Sequence, residues 1–205
     1  MLDKYAHPLV QKPLNILAKL LTNTGITANQ ITLFGFAIGM LCIPLLAFEQ
    51  YGWALTAIAM NRILDGLDGT LARLQGPTDH GGYLDIVLDF IFYSAVIFGF
   101  ALANPQQNAL ASAFLIFSFI GTGCSFLAFA ILAQKHKINR VQFSNKSIHY
   151  LEGITEGTET IAFYFLICLF PNWFSIAAWL FGGLCWVTTM VRIWGGFHTI
   201  RQKAD

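Results

Sequence analysis

Of the 205 residues, 56% are hydrophobic and only 11% charged, with a mean hydropathy of +0.59. A soluble domain carries about a quarter of its residues as charges, so a soluble globular protein is excluded and a single bundle of membrane helices is expected. The formal net charge of +1 gives no reason to expect a nucleic-acid partner; where the charges fall along the chain carries the information.

No N-terminal stretch combines a basic start, an apolar run and a small-residue cleavage site, so no secretory signal peptide is expected. The chain opens instead on a segment with interfacial character. Leu14, Leu17 and Leu21 recur at helical spacing, flanked by Lys12, Asn15 and Lys19. Pro13 suits a first-turn position and Gly25 a C-terminal stop, which predicts an amphipathic helix lying on the cytoplasmic leaflet. Thr27 and Gln30 then have capping-box spacing and open the first span.

A membrane span needs about 20 mostly apolar residues. Six segments qualify: 29–48, 53–74, 82–103, 109–133, 150–170 and 173–195. The connections after the first, third and fifth contain no Lys or Arg, and all 12 basic residues fall on or near the other side. The positive-inside rule therefore places both termini in the cytoplasm. The expected fold is an all-α integral membrane protein of six transmembrane helices preceded by an interfacial helix. Its parts are an N-terminal segment 1–26, a six-helix domain 27–198 and a cytoplasmic tail 199–205. The cysteines Cys42, Cys124, Cys168 and Cys185 sit in apolar runs without CxxC spacing and are expected to be buried thiols.

The second and third spans carry carboxylates that a membrane segment does not tolerate without cause. One ionised Asp at a helix centre costs on the order of 3 kcal/mol even on the lenient insertion scale, and here there are four: Asp65, Asp68, Asp85 and Asp89. At about 100° per residue, Asp65 and Asp68 share a helical face with Gly69 and Ala72. Asp85 and Asp89 share a face of the next helix with Gly81. At about 1.5 Å rise per residue, Asp65 lies roughly 12 Å from Arg73, and Asp89 roughly 12 Å from Gly81. Two antiparallel helices joined through 74–80 thus bring the four carboxylates to matching heights if their faces meet. Packed together they require cations, and all-oxygen ligation selects Mg²⁺, Mn²⁺ or Ca²⁺. The competing reading is a structural charge network neutralised by Arg62 and Arg73, but two arginines cannot balance four aspartates. The Gly/Ala strip beside the acids would let a bulky phosphorylated ligand approach the backbone.

The pattern Asp65-x-x-Asp68-Gly69-x-x-Ala72-Arg73 followed by Gly81-x-x-x-Asp85-x-x-x-Asp89 resembles the signature of the CDP-alcohol phosphotransferase family. More narrowly, the chain is similar to a small bacterial inner-membrane branch of that family over most of its length. The spacer between Arg73 and Gly81 is one residue shorter than is usual there. The resemblance implies a six-helix homodimer in the inner membrane, with a site open to the cytoplasm and to lipid. It implies that Asp65, Asp68 and Asp85 bind metal (two Mg²⁺ or Mn²⁺ ions), and that Asp89 is both ligand and general base. It also implies that Gly69, Ala72, Arg73 and Gly81 line the CDP pocket beside the metal-bearing acids, with Asn29 as a further donor contact. The implied reaction passes a phosphatidyl or other phospho-alcohol group from a CDP-linked lipid donor, CDP-diacylglycerol foremost, to an acceptor alcohol. Metal neutralises the pyrophosphate, a base takes the hydroxyl proton, and CMP leaves toward metal and Arg73.

In the fifth span, Glu152, Glu156 and Glu159 follow a 4-then-3 spacing and predict one acidic stripe. They either line an acceptor pocket, favouring a polyol or amine over an anion, or pair with Arg192, Arg140 or Lys146 to join helices. Arg192 either binds an acceptor phosphate or neutralises that stripe. Two rivals compete with the transferase: an ion-coupled transporter, which needs polar residues reaching the far side of the membrane, and a catalytically silent membrane scaffold. The apolar outer halves oppose the first, and the intact Asp set opposes the second.

Overall fold

The computed structural model describes residues 3–136 and 153–204, and their regular structure is helical throughout. In chain order the helices are α1 (Asp3–Thr22), α2 (Ala28–Met40), α3 (Cys42–Ala47), α4 (Tyr51–Gln75) and α5 (Asp79–Ala103). They are followed by α6 (Pro105–Lys135), α7 (Gly157–Leu169), a 3₁₀ turn (Pro171–Trp173) and α8 (Phe174–Ala204).

The capping box opens α2 as expected: Gln30 N–H donates to the Thr27 hydroxyl at 3.3 Å, and Thr27 N–H to the Gln30 side chain at 3.0 Å. The first span is interrupted at Leu41. Pro44 explains the break, because it has no N–H for the Met40 carbonyl and its ring crowds that oxygen. Among the described residues, four stretches are long and apolar enough to cross a membrane: Ala28–Ala47, Asp79–Ala103, Pro105–Lys135 and Pro171–Gln202. α4 is long enough, at 25 residues or roughly 37 Å, but carries Arg62, Asp65, Asp68 and Arg73. α7, expected over 150–170, has only 13 residues, about 20 Å against a hydrocarbon core of about 30 Å.

Two clusters hold the bundle. The larger is built from Leu46, Ile58, Phe92, Phe100, Leu115, Tyr164 and Phe174, with Phe100 stacked on Phe174 at 4.5 Å. α6 and α8 run against each other along their length, with Phe114 stacked on Trp179 at 4.3 Å and Gly182 leaving room for the Phe114 ring. The smaller cluster docks α1 on α4: Leu14 and Ala18 bury against Ile31, Leu67 and Leu71. Here the expectation needs correcting. α1 begins at Asp3, so Pro13 lies inside the helix rather than in its first turn; Leu17, 46% exposed, lies outside the cluster that docks α1 on α4. The small Ala18, one turn after Leu14, is what lets α1 approach α4. Of the cysteines, Cys42, Cys168 and Cys185 are buried, whereas Cys124 is exposed on α6.

Candidate active site

The turn between α4 and α5 is short and tightly specified. Gly76 ends α4 at φ +99°, a left-handed conformation that favours glycine. Thr78 caps α5 by accepting from Gly81 N–H at 3.2 Å. Gln75 then staples the preceding turn to this end of the molecule, donating to the Ile26 carbonyl at 2.7 Å and accepting from Ala28 N–H at 3.2 Å. The first turns of α2 and the ends of α4 and α5 are thereby held together.

The faces of α4 and α5 do meet. Carboxylate oxygens of Asp65, Asp68 and Asp85 lie within 4.8 Å of one another. All four aspartates line a crevice of about 10 Å³ with Thr32, Asn61 and Arg62, room on the order of one water or ion. Asp89 is held somewhat apart by Arg62, whose Nη2 donates to Asp89 Oδ1 at 2.8 Å, with Nη1 3.6 Å from Asp65 Oδ2. Arg73 plays no part in that neutralisation: it is exposed and donates to the Thr70 hydroxyl at 3.0 Å. Asp68 Oδ2 is buried with no hydrogen-bond partner, which is costly for a carboxylate unless something else satisfies it. Three convergent carboxylates, one with an orphaned buried oxygen, fit a hard divalent cation.

Beside the crevice opens a cavity of about 390 Å³, sharing Thr32, Asp68 and Asp85 with it. Gly69, Ala72, Gly81 and Asn29 all line it, as do Gln75 and His80. Gly69 faces open space except for the Arg73 guanidinium, 3.8 Å from where a Cβ would stand. A Cβ on Gly81 would come within 2.9 Å of both Asn29 Oδ1 and Thr78 Oγ1, so the glycine is what lets α2 and α5 close on each other. Arg73 lies alongside Gly69 without lining the cavity. Gln75 and Thr32 were not singled out from the sequence. Thr32 could have been, since it follows Asn29 by one helical turn.

A second cavity of about 310 Å³ lies between α5, α6, α7 and α8, lined by Tyr93, Thr122, Thr160, Glu156 and Arg192 among others. Glu156 and Glu159, expected on one helix face, do not share one. α7 starts only at Gly157, because Ile154 N–H and Thr155 N–H both donate to the Thr188 hydroxyl of α8, at 3.1 and 3.2 Å. Glu156 is the N-cap residue and accepts from Gly153 N–H at 3.0 Å, while Glu159 folds back to accept from Glu156 N–H at 3.2 Å. Glu156 and Arg192 thus face one cavity, Glu159 serves the helix cap, and Glu152 lies outside the described residues. Arg192 also donates to the Thr122 carbonyl at 3.3 Å.

The family model described as CDP-alcohol phosphatidyltransferase matches residues 25–194. The chain is 55% identical over 202 residues to the inner membrane protein YnjF of Escherichia coli (strain K12), covering 98% of each. It is 30% identical over 195 residues to an archaetidylinositol phosphate synthase of Pyrococcus horikoshii, covering 95% of each. Its fold is that of the Mycobacterium tuberculosis phosphatidylinositol phosphate synthase, crystallised with CDP-DAG bound, at a TM-score of 0.64, 17% identity and coverage of 90% and 93% of the two chains.

Proposed function

The chain belongs to the CDP-alcohol phosphatidyltransferase family, and on that premise we propose that it transfers a phosphatidyl group from CDP-diacylglycerol to an acceptor alcohol, releasing CMP, in phospholipid biosynthesis. The observation that carries the reading is convergence: the acids of the signature meet at one crevice, and its small residues line the cavity that opens from it. A nucleotide pyrophosphate seated along Gly69, Ala72 and Gly81 would bring its phosphates beside Asp68 and Asp85, with Asn29 and Gln75 offering polar contacts. Asp65, Asp68 and Asp85, with Asp89, would hold divalent cations, two Mg²⁺ or Mn²⁺ ions in our reading, which when bound neutralise the pyrophosphate as Lewis acids. Asp89 takes the proton from the acceptor hydroxyl. The hydroxyl oxygen bonds to the phosphatidyl phosphorus as the P–O bond to CMP breaks, and Arg73, beside Gly69, would stabilise the departing phosphate.

We read the protein as a multi-pass inner-membrane enzyme of six spans, α2 with α3 forming the first and the short α7 belonging to the fifth. Residues 27–198 form the transferase domain, α1 lies along the cytoplasmic leaflet, and the chain acts as a homodimer. Both termini and both cavities face the cytoplasm. Reporter fusions are expected to place Gln50 and Gln106 outside and Gln75 and Arg201 inside; the inverse pattern refutes this orientation. The buried polar residues at the other end of the bundle are structural rather than relay groups. There the buried Asn108 and Ser112 are spent on the Phe100 and Ile97 carbonyls.

The acceptor belongs in the second cavity, where Glu156 and Arg192 present opposite charges. That balance suits a polyol or an amino alcohol better than a phosphorylated alcohol. Purified protein with Mg²⁺ or Mn²⁺, CDP-diacylglycerol and a panel of alcohols should release CMP, and silence across a broad panel overturns the transferase reading. In the same assay Glu156→Gln should raise the acceptor KM about tenfold with the donor KM unchanged, the pattern of a lost uniform contact. An unchanged acceptor KM with a lowered Tm assigns Glu156 to structure instead.

A further inference from the structure

Arg62 stands outside the eight-position signature, yet it is the most elaborately held side chain near the carboxylates. Its anchor begins on α2. The Gly35 carbonyl accepts from Asn61 Nδ2 at 2.9 Å, which turns Asn61 Oδ1 toward Arg62. That oxygen accepts from Arg62 Nε at 2.8 Å and from Nη2 at 2.5 Å. Gly39 makes the arrangement possible, because a Cβ there would come within 2.8 Å of Asn61 Nδ2 and 2.9 Å of the Phe92 ring. On the α5 side, Nη1 donates to the Tyr93 hydroxyl at 3.2 Å, and the guanidinium lies over the buried Phe92 ring at 4.6 Å. These contacts fix the guanidinium in place and in plane without help from any aspartate. Asp89 therefore adapts to Arg62 rather than the reverse.

We infer that Arg62 is a positioning residue for Asp89: it holds Oδ1 and leaves Oδ2 as the oxygen that receives the acceptor proton. The inference rests on the role proposed above for Asp89. Arg62 also ties the carboxylate crevice to the acceptor cavity, since it lines the crevice while its partner Tyr93 lines the cavity assigned to the acceptor. The base is thus held at a fixed place relative to both. A lysine could supply the charge but not the planar fork that binds Asn61, Tyr93 and Asp89 together.

The test uses the full-length protein and CMP release with the fastest acceptor of the panel, or water if no alcohol is faster. Arg62→Met should lower kcat about 100-fold, within the range for an impaired general base. The donor KM should stay within about threefold, and the Mn²⁺ affinity, read by electron paramagnetic resonance, should hold or tighten, because Arg62 no longer competes with the cation for Asp65 and Asp89. Arg62→Lys should recover no more than about tenfold of that loss. Tyr93→Phe, which removes one anchor and keeps the ring, should lower kcat about fivefold in the same pattern. A kcat for Arg62→Met within threefold of wild type overturns the inference. So does a parallel loss of kcat, donor KM, Mn²⁺ affinity and Tm, which marks a structural role. If Arg62→Met does not fold, an unchanged kcat in Tyr93→Phe overturns it. Asp89→Asn measured alongside separates the failures. Turnover in that variant removes the base and the inference with it, whereas an inactive Asp89→Asn beside an active Arg62→Met removes the inference alone.

Discussion

Replacing Asp89 with Asn is expected to cut CMP release by a factor on the order of 10²–10⁴, the usual contribution of a positioned general base, while leaving the protein folded. The amide keeps the shape of the carboxylate, and its oxygen can still accept from Arg62 Nη2, now 2.8 Å from Asp89 Oδ1. What is lost is the capacity to take a proton and one unit of negative charge beside Asp65. The weakened bond to Arg62 costs about 1 kcal/mol, so Tm should move by only a few degrees. The measurement pairs turnover with thermal unfolding in detergent. Near-normal turnover in a folded variant removes Asp89 as base. A variant that fails to fold reassigns it to the Arg62 network as a structural partner.

The parts of this site that were legible in the sequence are those governed by local periodicity. Asp65 with Asp68, and Asp85 with Asp89, had to share helix faces, and the connection over 74–80 had to make the helices antiparallel. The Thr27 cap is equally local. The failures are tertiary. Nothing in the local sequence reveals that the N–H groups of Ile154 and Thr155 will be claimed by Thr188, 34 and 33 positions later, so Glu156 and Glu159 looked like part of a helix stripe and form a helix cap. Arg62 and Arg73 were equivalent as basic residues on one helix. Their roles diverge because α2 supplies Asn61 with a carbonyl partner and α5 supplies Phe92 and Tyr93, whereas Arg73 reaches the exposed end of α4.

Asp68 yields the second large effect, with opposite signs in two measurements. Its Oδ2 is buried without a hydrogen-bond partner, and oxygens of Asp65 and Asp85 lie within 4.8 Å. Arg62 is engaged with Asp89 and Asp65 rather than with Asp68. In EDTA, Asp68→Asn should therefore stabilise the protein. It removes one of several crowded charges and supplies an amide N–H₂ that can donate to a neighbouring carboxylate. Relief of an unsatisfied buried group is worth about 1–3 kcal/mol, which is a Tm increase of a few degrees. With saturating Mn²⁺ the order should reverse. A ligand at 100 times its Kd adds about 2.7 kcal/mol to wild type, and a site with a neutral, weaker ligand in place of Asp68 should lose more than half of that gain. CMP release should fall at least 100-fold with it, since the pyrophosphate charge is no longer matched. A variant that melts lower in EDTA yet keeps the full Mn²⁺ shift would show that Asp68 is a structural residue and that the cation is held elsewhere.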